Sequence, residues 1–283
     1  NLPCLPSWAR GRCVDSMDCA DYGGALFFYM NWIEPANHSE PIAHLEASLG
    51  LSPFLATLLA QRGLQEVRAA NTFLNPKLSS LSDPFLLAGM DQAVQTLVQA
   101  IERQESVVIF GDYDVDGISS SVLLVKVLAG LGLSARPFVP RRLEEGYGLS
   151  LTALQRAFAQ GRPDLFIALD CGTNSIQEVE FVRRQGSRVL ILDHHQAAES
   201  VPEDCILINP HLRADQAQRW GYLCTVGLVF KLAHALLKHL RQAGMPQAHH
   251  FDLRSHLDLV ALGTVADLVP LIEENRTLVR FGL

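Results

Sequence analysis

The segment VVIFGDYDVDG, residues 107–117, decides the fold, because a short apolar run of strand type ends in three aspartates at alternate positions. Alternate residues of an extended segment point to one side, so we expect the carboxylates of Asp112, Asp114 and Asp116 to face the same way. Like charges this close together are costly unless cations neutralise them. Taken alone, the motif is equally compatible with an acidic, solvated turn, and the rest of the chain distinguishes the two interpretations.

Apolar strands alternate with helical segments after residue 105. The predicted strands are 107–110, 135–139, 165–169, 188–192 and 206–208, and the predicted helices are 118–131, 151–160, 175–185, 225–241 and 253–265. Buried apolar strands separated by helices are typical of a parallel sheet that is covered on both faces. The predicted fold class is therefore α/β, with a parallel sheet and helices on both of its faces.

The chain before the sheet divides into two parts. Residues 1–40 contain three cysteines and scattered Gly and Pro without periodicity, and we expect a poorly ordered extension, with Met30 as a natural start. Residues 41–104 carry apolar side chains at helical intervals and are predicted to form a helical lead-in, which ends with an amphipathic helix at 90–103. Residues 105–283 form the third part, which contains the sheet.

Composition and net charge limit the classes of protein to which the chain can belong. The chain has 283 residues, 48% of them hydrophobic and 19% charged, as expected of a globular protein with a sizeable core. With a net charge of −7, the protein surface as a whole does not favour binding of a polyanion. A nucleic acid would therefore need a local site with metal ions or a few basic side chains.

Cysteine usage and hydropathy indicate the compartment. The six cysteines show no CxxC or Cys/His zinc spacing, so free thiols in a reducing compartment are favoured over a disulfide framework. No apolar stretch approaches the roughly 18–20 residues that a membrane helix needs. We therefore expect a cytoplasmic protein without a membrane partner.

Acidic and imidazole side chains follow the predicted strands at the points where those strands end. Asp170 follows the strand 165–169, and the triplet 193–195, Asp-His-His, follows the strand 188–192. Asp267 follows the last predicted apolar helix. Ligands bind at the carboxyl ends of strands in doubly wound sheets. A helix cap or a hydrogen-bonded turn would explain one such residue, but the whole set predicts a metal site.

The donor types indicate the ion and the chemistry. Aspartate with histidine suits Mn²⁺ or a related divalent ion better than Ca²⁺, and the lack of cysteine spacing argues against structural zinc. Such a set fits two ions about 3.5–4 Å apart with Asp170 as the bridge, which favours hydrolysis of phosphate esters or anhydrides. We assign His194 to the metal, and His195 to its surroundings or to a substrate phosphate.

The predicted site consists of metal ligands, catalytic residues and substrate-binding residues. The predicted metal ligands are Asp112, Asp114, Asp116, Asp170, His194 and Asp267. The predicted catalytic residues are Asp114, Asp116, Asp170, His194, His195 and Asp267. The predicted substrate-binding residues are Arg141, Tyr147, Gly148, His195 and Arg276.

The substrate contacts rest on a basic loop that carries an aromatic residue. Arg141, Tyr147 and Gly148 follow a strand at the same edge of the sheet, and single-stranded nucleic acids use such groups for phosphate contact and stacking. A solvated loop is the alternative interpretation. Arg276 has two alternative roles, a contact with a substrate phosphate or an ion pair with neighbouring acidic side chains.

As an ordered set, the motifs resemble the DHH phosphoesterase superfamily and, within it, the RecJ branch of single-strand-specific DNA exonucleases. The resemblance covers residues 42–283 and rests on GDYDVDG 111–117, DCG 170–172, DHH 193–195, GTVADLVPL 263–271, QRG 61–63, FLNP 73–76, DPF 83–85 and EGYG 145–148.

The resemblance implies a metal-dependent 5′→3′ exonuclease of DNA repair and recombination that releases 5′-mononucleotides from single-stranded DNA. It implies two divalent ions, Mn²⁺ or Mg²⁺, and single-strand-binding protein or a helicase as candidate protein partners. The alternatives are a DHH-type oligoribonuclease, cyclic-dinucleotide phosphodiesterase or pyrophosphatase, which lack the helical lead-in and the EGYG loop. A replication-associated scaffold on the same fold is the non-enzymatic alternative, and it would be expected to lose the carboxylates.

Two features depart from the resemblance. Many members carry His where this chain has Phe110, and Asp112 is expected to compensate as a ligand. RecJ proteins also continue into a second, Gly-rich domain and an oligonucleotide-binding fold, which are expected to be absent here. We therefore expect metal binding to survive, with weak affinity and low processivity on DNA.

Overall fold

The computed structural model describes residues 38–283, so most of the predicted extension 1–40, with Cys4, Cys13 and Cys19, lies outside the described residues. The chain divides after Asn75 into two compact units.

The first unit is helical in its described part. Its helices are α1 (Ser39–Leu49), α2 (Pro53–Gln61) and α3 (Val67–Leu74). The Ser52 side chain accepts a hydrogen bond from the Leu55 N–H and so caps α2, which begins with proline as the sequence predicts. The apolar face of the three helices buries a small core of Leu45, Ala56, Leu59, Ala60 and Ala70.

The second unit is built on a five-stranded parallel sheet within the described residues. The strands are β1 (Val107–Gly111), β2 (Ala135–Phe138), β3 (Leu165–Leu169), β4 (Arg188–Leu192) and β5 (Ile206–Ile208), in the order β2-β1-β3-β4-β5. Every neighbouring pair is parallel, so all five carboxyl ends lie at one edge. The predicted strands agree with these bounds within one residue.

Helices surround the sheet. They are α4 (Met90–Arg103), α5 (Val115–Gly130), α6 (Arg142–Glu145), α7 (Leu151–Phe158), α8 (Ile176–Arg184), α9 (Ala214–Trp220), α10 (Thr225–Gln242), α11 (Pro246–His250), α12 (Leu257–Ala266) and α13 (Glu273–Gly282). Short 3-10 helices lie at Leu78–Ser80, Pro84–Leu86, Pro210–Leu212 and Leu253–His256.

The two faces of the sheet bury separate cores. Val107 and Ile109 of β1 pack with apolar residues of α4, α5, α10 and α12, whereas Val108 and Phe110 pack with those of α7 and α8. Successive side chains of a strand point to opposite faces, so a strand between two layers of helices is apolar throughout. The predicted α/β class, with helices on both faces, is confirmed.

The segment after β1 differs from the prediction. The helix α5 begins at Val115, three residues before the predicted start, so Asp116 lies in its first turn and not on an extended segment. The Asp114 side chain accepts a hydrogen bond from the Gly117 N–H, and this N-cap starts the helix early. The expectation of three aspartates alternating along one extended segment is therefore wrong.

The compact units and the predicted domains differ at α4. The prediction places this helix in the lead-in that ends at residue 104, but its apolar face lies in the core of the second unit. An amphipathic pattern identifies a helix and not the surface that it covers. The division into 1–40, 41–104 and 105–283 stays a prediction.

The structure describes three of the six cysteines and the length of each helix after residue 38. Cys171, Cys205 and Cys224 are free, as predicted for these three. Among residues 38–283, no single helix is long and apolar enough to cross a membrane, although α9 and α10, bent by 96° at their junction, pass that test as a pair.

Candidate metal centre

Asp112 follows β1 directly and is fully buried. Its Oδ1 accepts a hydrogen bond from the Gly148 N–H at 3.2 Å, which ties the loop after α6 to the end of the strand. Burial raises the pKa of Asp112, because an apolar environment disfavours the charged form. A Cβ at Gly117 would lie 2.5 Å from the Asp112 carbonyl oxygen, so glycine is required where α5 crosses the strand end.

Asp116 is buried between α5 and α10. Its two carboxylate oxygens accept hydrogen bonds from the Thr225 N–H at 2.7 Å and the Val226 N–H at 2.8 Å, at the start of α10. Helix N-termini favour negative charge, and this pairing holds the two helices together. Burial nevertheless raises the pKa of Asp116.

Asp170 follows β3 with a positive φ of 63°, a conformation that aspartate tolerates better than most residues. Its Oδ1 accepts a hydrogen bond from Thr225 Oγ1 at 2.9 Å. Burial, with the charges of Asp116 and Asp114, raises the pKa of Asp170 to about 10. The carboxyl group is therefore costly to ionise unless a cation is present.

His194 and Asp267 complete this edge of the sheet. His194 Nε2 lies 3.4 Å from Asp170 Oδ1, 3.5 Å from Asp267 Oδ2 and 3.9 Å from Asp116 Oδ2. One imidazole thus faces carboxylates that come from three separate elements, β3, α5 and the end of α12.

Asp193 and His195 form a pair beside this cluster. Asp193 Oδ1 accepts hydrogen bonds from the His195 Nδ1 at 2.7 Å and from the His194 N–H at 2.8 Å. Burial acts to raise the pKa of Asp193, but the hydrogen bonds from His195 and Thr173 outweigh it and lower that pKa to about 2. The same bond to Asp193 raises the pKa of His195. On the other side of the ring, His195 Nε2 lies 2.9 Å from the Tyr147 hydroxyl.

The polar atoms at this edge fit divalent cations. Nine buried side-chain atoms form no hydrogen bond within the described range 38–283, and four of them belong to the residues at this edge. We call these the four site atoms: Asp112 Oδ2, Asp170 Oδ2, His194 Nε2 and Asp267 Oδ2. Buried polar groups are nearly always paired, so a set of such atoms at one place indicates a ligand. Carboxylate oxygens with one imidazole suit Mn²⁺, and the carboxylates alone suit Mg²⁺.

Candidate ligand atoms form three groups within the part of the chain that the structure describes. In each group the atoms lie within 4.8 Å of one another: Asp170, His194 and His195; Asp112, Asp114 and Asp170; Asp116, Cys224 and Asp267. Asp170 belongs to two of these groups, in keeping with its predicted bridging role. Burial raises the pKa of Cys224, whose thiol lies 3.5 Å from Thr264 Oγ1.

A family model described as "DHH family, N-terminal domain" matches residues 106–264, more than half of the chain. The chain belongs to the DHH family. The resemblance drawn from the sequence motifs is confirmed, and the site of this DHH chain lies at the carboxyl ends of β1, β3 and β4.

Individual relatives agree with the family. The single-stranded-DNA-specific exonuclease RecJ of Bacillus subtilis (strain 168) is 34% identical over 90% of this DHH chain and 30% of its own length. The protein of the same name from Dickeya dadantii (strain 3937) is 39% identical over 86% of this chain and 42% of its own length. The crystal structure of RecJ in complex with Mn²⁺ from Thermus thermophilus is similar at a TM-score of 0.68, with 28% identity over 86% of this chain and 32% of that one. The chain thus spans less than half the length of these relatives.

The structure of the DHH chain brings most of the predicted metal ligands together, and the predicted substrate-binding residues lie in different surroundings. Arg141 Nη1 lies 2.7 Å from Glu144 Oε2 in an exposed ion pair. Tyr147 is half-exposed next to His195, and Gly148 contacts Asp112 through its backbone. Arg276 is half-buried on α13, and its predicted phosphate contact stays a prediction.

Two residues that the sequence prediction leaves out of the site contribute to it. Asp193 orients His195, and its place in the triplet that ends β4 is the signal that could have identified it. Thr225 donates to Asp170 from its hydroxyl and to Asp116 from its backbone N–H. Its only signal is its position at the start of a predicted helix, which does not reveal what that helix end approaches.

Proposed function

We propose that this chain is the catalytic part of a metal-dependent exonuclease that degrades single-stranded DNA from 5′ to 3′ and releases 5′-mononucleotides, in DNA repair and recombination. The set of four site atoms carries the proposal, because buried polar atoms without hydrogen-bond partners at one place indicate a ligand, and carboxylates this close together ionise readily only beside a cation. The names of the B. subtilis and D. dadantii relatives support the substrate class. The polarity of degradation is carried over from the RecJ resemblance.

The proposed cofactor is a pair of divalent ions, Mn²⁺ or Mg²⁺. The proposed ligands are Asp112, Asp114, Asp116, Asp170, His194 and Asp267. When bound, such ions lower the pKa of water and offset the charge that develops on phosphoryl oxygens. The Mn²⁺ complex of the T. thermophilus relative supports this choice. Asp116 also holds the start of α10, because its carboxylate accepts hydrogen bonds from the backbone N–H groups of Thr225 and Val226.

We propose that His195 acts on the phosphate group and not on the ions. Both of its ring nitrogens already have neighbours, Asp193 at Nδ1 and the Tyr147 hydroxyl near Nε2. Asp193 fixes the orientation of the ring and favours its protonated form, so that Nε2 can donate to a phosphate oxygen once the tyrosine hydroxyl moves aside.

The strand is proposed to enter along the loop that contains α6. The Arg141 side chain forms an exposed ion pair with Glu144, which is worth little and can be exchanged for a phosphate contact. The Tyr147 ring offers a surface on which a base can stack, and Arg276 is the second proposed phosphate contact. Arg156 Nη2, 2.7 Å from Glu145 Oε2, fixes this loop to α7.

The cellular setting is a further proposal. We propose action in the cytoplasm, with single-strand-binding protein or a helicase as a partner, because these proteins handle the same single-stranded substrate. Co-precipitation of the chain with each purified candidate, in the presence and absence of DNA, would detect such partners. Retention of neither would refute this part.

A labelled-strand assay tests the proposed function. Single strands labelled at the 5′ or the 3′ end are incubated with Mn²⁺ or Mg²⁺, and we expect the 5′ label to appear first as a mononucleotide. An oligoribonucleotide, a cyclic dinucleotide and pyrophosphate complete the panel and distinguish the related DHH activities. Asp170→Asn is the control for contaminating nucleases. Cleavage of one of those three compounds in preference to the DNA strand would overturn the proposal.

A further inference from the structure

The donors around Asp170 fall into two sets of different chemistry. On one side, oxygen atoms of Asp112, Asp114 and Asp170 lie within 4.8 Å of one another, and we call this set the carboxylate position. On the other side, Asp170 faces His194 Nε2 at 3.4 Å, which in turn lies 3.5 Å from Asp267 Oδ2. We call this second set the imidazole position.

The imidazole position depends on His194 for its nitrogen. His195 also lies near Asp170, but its Nδ1 donates to Asp193 and its Nε2 lies 2.9 Å from the Tyr147 hydroxyl. His194 Nε2 and Asp267 Oδ2 are both among the four site atoms. The donors of this position are therefore one nitrogen and the carboxylates of Asp170, Asp267 and Asp116, whose Oδ2 lies 3.9 Å from His194 Nε2.

The side chains that define the carboxylate position offer oxygen donors alone. Phe110 stands where many DHH members carry His, and it is fully buried, with its ring centroid 5.3 Å from that of Phe138 and 5.9 Å from that of Phe166. Gly148 contributes a backbone N–H that occupies Asp112 Oδ1. Asp112 and Asp170, exposed by 0% and 1%, each carry one of the four site atoms.

We propose that the two positions select different ions, so that the centre holds Mn²⁺ at the imidazole position and Mg²⁺ at the carboxylate position when Mg²⁺ is in excess. Mg²⁺ prefers oxygen ligands and keeps several waters, whereas imidazole favours transition-metal ions. This inference rests on the metal centre of the proposed function and names the ion for each half of it.

Electron paramagnetic resonance of Mn²⁺ tests the selectivity without an activity assay. The metal-free chain is loaded with Mn²⁺ and then titrated with Mg²⁺, and we expect two Mn²⁺ ions to fall to one per chain. The retained ion should show ¹⁴N modulation from an imidazole ligand. In His194→Gln, we expect the affinity for the retained Mn²⁺ to fall by about tenfold or more and the modulation to disappear. Asp112→Asn is the matched variant, and it should lose the exchangeable ion and keep the ¹⁴N signal.

The wild-type spectrum decides the matter even if a variant fails to fold. A retained Mn²⁺ without ¹⁴N modulation, or displacement of both ions over one range of Mg²⁺ concentration, would overturn the proposed selectivity and leave the metal centre standing. Failure of the chain to bind Mn²⁺ before Mg²⁺ is added would overturn the selectivity together with the metal centre.

Discussion

Two clusters of buried charge lie along α10, and they are built in opposite ways. Near the start of the helix, Asp112, Asp170, His194 and Asp267 carry the four site atoms, which lack hydrogen-bond partners among residues 38–283. Two turns further on, the fully buried Lys231 Nζ lies 2.6 Å from Glu274 Oε2 and donates to the carbonyl oxygen of Ser82 at 2.9 Å.

The second cluster supplies a partner for each charge that it buries. Ser82 donates to Glu274 Oε1 from its backbone N–H at 3.0 Å and from its hydroxyl at 2.6 Å. The hydroxyl also accepts from Lys231 Nζ and from Trp220 Nε1. We name it the lysine cluster. It joins the segment before α4 to α10 and α13.

The difference between the two clusters shows how a buried charged side chain can be assigned a structural or a functional role in this fold. A buried ion pair whose two charges face each other is a structural element, and the loss of one partner destabilises the protein. Buried carboxylates that face each other instead bind either protons or a cation, and the cation is what makes them a functional element. Variants of the first cluster should therefore change activity, and variants of the second should change stability.

Asp170→Asn should have the largest effect. Asparagine keeps the shape and tolerates the positive φ, but it removes the charge shared by two ligand groups. We expect nuclease activity to fall by about 10³-fold. The metal-free thermal midpoint should stay near wild type, because the raised pKa keeps Asp170 largely neutral at pH 7 without a cation. Activity is measured on a single-stranded oligonucleotide and the midpoint by circular dichroism; a large fall in both would remove the contrast.

Lys231→Met is the matching variant in the lysine cluster. It leaves Glu274 buried without its cation, so we expect a loss of about 3–5 kcal/mol in the free energy of unfolding. Urea denaturation measures the loss, and activity per folded molecule should not change. The double variant Lys231→Met/Glu274→Gln should recover most of the stability. Loss of activity in the folded protein would contradict a purely structural role.

Asp193→Asn sharpens the comparison, because Asp193 is a fully bonded charge next to the four site atoms. Loss of the carboxylate frees the His195 ring, and we expect activity to fall by about 10–100-fold. Mn²⁺ binding, measured by calorimetry, should change less than activity does. A complete loss of Mn²⁺ binding would show that Asp193 supports the ligands and not His195.

Ser82→Ala should have the smallest effect. It removes the hydroxyl that Lys231, Glu274 and Trp220 share, and we expect a loss of about 1–3 kcal/mol in the free energy of unfolding. Mn²⁺ affinity should be unchanged. A change in Mn²⁺ affinity would mean that the two clusters are coupled through α10.

The sequence predicted the sheet and most of the site for a physical reason. In a parallel sheet every strand ends at the same edge, so Asp112, Asp170 and His194, each within two residues of a strand end, had to come together there. Asp267 was predicted from its place after an apolar helix. The four site atoms belong to these four residues.

The parts that the sequence did not predict depend on contacts between distant elements. Thr225 reaches Asp170 across 55 positions, and Ser82 reaches Glu274 across 192, so no local pattern shows either pairing. The early start of α5 was missed because the alternation of the aspartates suggested a strand, whereas the Asp114 cap determined the conformation. Local capping and long-range pairing both outweigh a two-residue period in a segment this short.

Calorimetric titration of the metal-free chain with Mn²⁺ tests the central claim most directly. We expect two ions to bind to the wild-type chain and to the double variant Lys231→Met/Glu274→Gln, and binding to be severely weakened in Asp170→Asn. No Mn²⁺ binding to the wild-type chain, or equal binding to Asp170→Asn, would contradict the assignment of the four site atoms to a metal centre.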